Sequence, residues 1–195
     1  MIVKIHIYLF LMMAYMYAGG NLKWFLCYYA FTIMHEIAHI LMALSLKVDM
    51  QEVILLPIGV NAKYSSYLSP WKELLISLAG PLASFLFALF FKEKTYSMMN
   101  LLIGIFNLIP LYPMDGGRII RSFLSIFFSK NITMKICNTI AKTLLVILLL
   151  IGIILVAYFK NYYIVILILY IFSITSEELK KEKYFGLFNY LQKEE

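Results

Sequence analysis

Long apolar runs alternate along the chain with short polar breaks, and most of the runs approach the length of a membrane span. The first covers residues 5–18 and closes at the turn cluster Gly19-Gly20-Asn21. Further runs cover about 24–46, 71–91, 97–128, 137–158 and 162–175. A helix needs about 20 predominantly apolar residues to cross hydrocarbon. The pattern therefore predicts an all-α polytopic membrane protein with about six transmembrane helices. Residues 5–19 read as a retained span, because no small-residue cleavage site followed by a polar chain appears there. Between the second and third runs the texture changes. Val53-Ile54-Leu55-Leu56 is rich in branched residues and bracketed by Pro57, Gly59 and Asn61, which predicts a short interfacial β-hairpin within 47–69. The third run opens on an interfacial Trp71 and carries Gly80-Pro81 inside it. The fourth is interrupted between Asn107 and Gly117 by Pro110, Pro113 and a glycine pair, which a continuous helix does not accommodate. Residues 1–176 thus read as one integral-membrane domain, and 177–195 as a short charged cytoplasmic tail.

Composition agrees with the pattern. The chain is 63% hydrophobic and 14% charged, whereas soluble domains run about 45–50% apolar and about 25% charged. Disorder and a disulfide scaffold are excluded, since Cys27 and Cys137 are the only cysteines and both lie in apolar runs as packing residues. The net charge of +6 does not mark a nucleic-acid binder, because the basic residues sit in the breaks between runs and not on one face. Of the 17 Lys and Arg, only Lys23, Lys92, Lys94 and Lys160 fall on the second side of a six-span scheme. The positive-inside rule then places both termini in the cytoplasm.

The candidate chemistry sits in the second run. His35-Glu36-Ile37-Ala38-His39 puts two imidazoles one helical turn apart, able to reach a single metal ion, with a carboxylate beside them. Three ionisable groups in one turn of an apolar span are costly, so something must offset them. A zinc site for hydrolysis takes a third protein ligand and leaves one position for water. His6 lies near the start of the first run and reads as a packing or interfacial histidine. Asp115 is the one aspartate inside an apolar stretch, and it lies in the broken fourth run. It has two readings, as the third ligand or as a helix cap paired with Arg118. Asn107 also has two, as a hydrogen-bond partner of an extended substrate or as the group that satisfies the helix break before Pro110. Gly116 and Gly117 are expected to let the backbone turn.

Taken together, His35-Glu36-x-x-His39, the segment ending Leu56-Pro57-Ile58-Gly59, Gly80-Pro81, and Asn107-x-x-Pro110-x-x-Pro113-x-Asp115-Gly116 resemble the site-2 protease family of intramembrane zinc metalloproteases. The resemblance covers about residues 30–128. It implies Zn2+ held by His35, His39 and Asp115, Glu36 as general base, and a substrate strand paired along Ile54, Leu56 and Ile58. It implies a membrane-associated protein substrate, with membrane inhibitors or regulators as further partners. A six-span chain is most similar to the branch that processes a sigma-factor precursor during sporulation. An anti-sigma factor or signal-peptide remnants are the alternative substrates, and a non-catalytic scaffold or a metal transporter the alternative functions. Ser84 stands where the family often carries Asn, a departure that counts against a small polar role at that position and does not bear on the metal site.

Overall fold

The computed structural model describes residues 2–5, 7–56, 59–64, 68–111, 114–159 and 175. Pro57, Ile58, Pro113, His6, the charged tail and all of the sixth apolar run except Thr175 lie outside them. The chain divides into two compact units, Met1–Leu108 and Ile109–Glu195.

The first unit holds β1 (Ile2–Ile5), α1 (Ile7–Ala18), α2 (Leu22–Ser45), β2 (Met50–Leu56), β3 (Gly59–Tyr64), α3 (Pro70–Phe90) and α4 (Lys94–Asn107). Helix α1 is 12 residues long and lies within the expected first span, and ahead of it Ile2–Ile5 runs parallel to β2, with Lys4 opposite Ile54. The stretch expected as a hairpin forms β2 and β3, antiparallel, with Ile54 opposite Asn61 and Leu56 opposite Gly59. The sheet order is β1-β2-β3. Gly20 makes the turn out of α1 at φ 69°, a left-handed conformation in which a side chain is strained. From there Phe25 and Tyr29 of α2 pack against Met12, Met13 and Met16 of α1.

Helix α2 ends where Lys47 adopts φ 53° and Val48 donates its N–H to the Ala43 carbonyl. The ammonium of Lys72, in the first turn of α3, donates to the Leu46 carbonyl at 3.0 Å. That bond neutralises an orphan acceptor at the negative end of the α2 dipole. Ala43, Val48 and Ile76 bury together beside it. Helix α3 starts on Ser69-Pro70, where proline's missing N–H costs nothing. It returns into α4, where Gly104 lets the Phe85 ring close in.

The two faces of α3 invert the soluble pattern. After Leu74 and Ile76, its buried residues are the small ones Ser77, Ala79, Gly80, Pro81, Ser84 and Ala88, whereas Leu82, Leu86, Leu89 and Phe90 are exposed. Small residues inside and large apolar ones outside over this later part suit a helix whose solvent is lipid. Three helical segments among the described residues are long and apolar enough to cross a membrane, Leu22–Ser45, Pro70–Phe90 and Lys130–Ile154.

The second unit contains α5 (Asp115–Phe127) and α6 (Lys130–Phe159). The fourth apolar run is thus split into α4 and α5, as its prolines require. Leu111 and Met114 pack with Ala141 and Leu145 of α6.

Candidate metal centre

His35 and His39 lie on one face of α2 and are almost fully buried, at 1% and 4% exposure. Helical spacing brings their Nε2 atoms to 3.2 Å from each other. Each ring is tethered by its other nitrogen to α3. His39 Nδ1 lies 2.6 Å from the Ile76 carbonyl, and His35 Nδ1 lies 2.8 Å from Ser84 Oγ. A carbonyl only accepts, so His39 Nδ1 carries the proton and its Nε2 presents a lone pair.

Residues Ile76, Gly80 and Ser84 are spaced four apart, which makes one stripe of α3 facing the imidazole pair. Between the two tethers, Gly80 gives the rings their space. A Cβ there would come within 2.6 Å of His35 Nε2 and closer still to His39 Nε2. Pro81 follows, buried within the helix, and its missing N–H leaves the Ser77 carbonyl outside the helical ladder. These residues fit a zinc ion. Two imidazoles converge through Nε2, their outer nitrogens are engaged as metal-bound histidines require, and nothing bulky occupies the approach from α3.

Glu36 is half-buried on the same turn of α2 as the histidines. Asp115 belongs to the second unit. It is buried at the first position of α5, where a carboxylate complements the helix dipole, and lies 3.9 Å from Arg118 Nη1. A contact with Arg118, the alternative to the ligand reading of Asp115, is thus present beside it. Gly116 and Gly117 are buried within the first turn of α5, where the Gly117 N–H donates to the Met114 carbonyl, and neither has a positive φ. Asn107 donates from Nδ2 to the Ile103 carbonyl of its own helix at 3.0 Å, which is the bond of a residue that finishes α4. Ile54 and Leu56 lie on the middle strand of the sheet, and the pairing of Ile54 with Lys4 and with Asn61 occupies both of its sides.

Sequence reasoning missed three contributors, the Ile76 carbonyl, Gly80 as the clearance for the rings, and Ser84 as a tether. A signal for two of them was present in the small residues Gly80 and Ser84 repeating at helical spacing in an apolar span.

The family model for Peptidase family M50 matches residues 24–92 and 94–151. A zinc metalloprotease of Methanocaldococcus jannaschii is 36% identical over 143 residues, 66% of this chain and 42% of that protein. Stage IV sporulation protein FB of Bacillus subtilis is 29% identical over 169 residues, 78% of this chain and 57% of that protein. The chain thus spans about half the length of these curated relatives. Among solved structures, the site-2 protease from Methanocaldococcus jannaschii matches with a TM-score of 0.70 and 29% identity over 91% of each chain. With its apolar helices this makes the chain an integral membrane protein. The motif on α2, the stripe on α3 and the family match over most of the chain lead to one conclusion: the chain belongs to Peptidase family M50.

Proposed function

We propose that the chain is an intramembrane zinc metalloprotease that hydrolyses a peptide bond in or near the bilayer. The observation that carries this reading is the buried pair of Nε2 atoms 3.2 Å apart on an apolar helix. Zinc would be held by His35, His39 and Asp115. Asp115 is the third ligand in this reading because it is a buried carboxylate directly after the helix break and completes a two-histidine, one-carboxylate donor set. When bound, zinc lowers the pKa of a coordinated water toward about 7 and polarises a carbonyl. Glu36, beside the ligands on α2, accepts the proton of the attacking water and returns it to the leaving amine.

The six-span arrangement with cytoplasmic termini and an interfacial sheet is part of the proposal, supported by the Lys and Arg distribution. A helical substrate must unwind before its peptide bonds can be reached, and strand addition to a sheet edge holds it extended. The middle strand β2 already has neighbours on both sides, so the substrate strand is placed on the outer edge of β3, Gly59–Tyr64, and not along Ile54 and Leu56. Asn107 faces the substrate only if it gives up its bond to Ile103. The substrate is a membrane-associated protein, and a sigma-factor precursor is the substrate that the resemblance to the sporulation branch implies, with 29% identity to a stage IV sporulation protein of Bacillus subtilis in its support. Membrane-bound regulators fit the same role.

Co-expression with a sigma-factor precursor from a sporulating bacterium tests both levels. Shortening of the precursor by the parent and not by Glu36→Gln is expected, with zinc retained in that variant and the cleavage rate reduced by about 10²–10⁴-fold. Cleavage that persists in Glu36→Gln would overturn the mechanism. Glu36-dependent cleavage of an anti-sigma factor or of signal-peptide remnants instead would move the substrate assignment alone.

A further inference from the structure

We propose that Ser84 is the positioning residue for His35, and that its hydroxyl sets the zinc affinity of the site. The inference rests on the zinc reading of the previous subsection and adds a residue to it. The two ligand histidines are tethered by chemically different groups. His39 faces the Ile76 backbone carbonyl, an acceptor only, so this ring has one tautomer open to it. His35 faces a side-chain hydroxyl, which donates or accepts as required.

The contact is built and dry. Ser84 and His35 are each 1% exposed, and their 2.8 Å bond joins residues 49 apart in sequence across two helices. Without metal, His35 Nε2 can donate its proton to the lone pair of His39 Nε2 at 3.2 Å, while Ser84 donates to Nδ1. With metal, His35 must free Nε2, so its proton sits on Nδ1 and the hydroxyl becomes the acceptor. One hydroxyl serves both states, and removing it takes from His35 Nδ1 the acceptor that fixes its proton there when Nε2 is given to the metal. The loss of that acceptor lowers affinity for the metal. Outer partners of ligating histidines typically contribute about 10–100-fold in metal affinity.

Zinc dissociation constants of the full-length, detergent-purified protein, measured by competition with a chelator of known affinity, test this. Ser84→Ala is expected to weaken zinc by about 10–100-fold. Ser84→Thr, which keeps the hydroxyl, and Ser84→Asn, whose amide both donates and accepts, are expected to stay within about threefold of the parent. Ser77→Ala is the control, since Ser77 Oγ is buried on the same helix with no hydrogen-bond partner. It should leave zinc affinity unchanged. Ser84→Ala within about twofold of the parent would overturn the proposal, as would an equal loss in Ser77→Ala. If Ser84→Ala does not purify as a folded species, Ser84→Gly replaces it, with the same expected loss and the same overturning result. A parent that binds no zinc overturns the underlying reading itself, which separates the two failures.

Discussion

The two faces of α3 divide the labour of the helix. The inner one carries Ile76, Gly80 and Ser84 and meets His35 and His39 through a carbonyl, an absent Cβ and a hydroxyl. The outer one carries Leu82, Leu86, Leu89 and Phe90, all exposed. In water the large residues would be driven inward. In lipid there is no hydrophobic gain from hiding them, so beyond Ile76 the interior is given to small and polar groups that allow close approach and hydrogen bonding. Function is thereby concentrated on residues that look least distinctive one at a time.

Substitutions on the two faces should separate accordingly. The largest effect is expected at Gly80. Gly80→Ala directs a methyl group at both Nε2 atoms, and zinc affinity should fall by more than the about 10–100-fold that loss of an outer hydrogen-bond partner costs. Chelator competition measures it, and near-parental affinity in Gly80→Ala would break the contrast between the faces. A smaller effect is expected at the rim of the inner face. Lys72→Met removes the bond to the Leu46 carbonyl and should cost about 1 kcal/mol in thermal or denaturant stability without changing zinc stoichiometry. The smallest is expected outside. Leu86→Ala should change stability by less than about 0.5 kcal/mol and leave zinc affinity and cleavage at parental levels. A large loss of zinc in Leu86→Ala would show that the outer face is not merely lipid-facing.

What the sequence disclosed follows the same division. His35, Glu36 and His39 were legible because a four-residue spacing in a helix converts directly into shared direction. The break between α4 and α5 was legible because proline lacks the N–H that a helix needs. Strand β1 was hidden, since its partners in β2 lie some fifty residues away and parallel pairing leaves no local turn as a mark. That pairing also made β2 a middle strand, which removed Ile54 and Leu56 from the available edge. The role of Ile76 is carried by a backbone atom, which no pattern of side chains encodes. Ser84, an ordinary small residue by itself, became informative once the opposing helix was known to carry His35.

Zinc content per chain is the most direct test of the central claim, measured on detergent-purified parent beside His35→Ala and His39→Ala. About one zinc per chain is expected in the parent and almost none in either variant. A parent that holds no zinc when purified without chelators and supplied with the metal, or variants that keep their zinc, would contradict the claim.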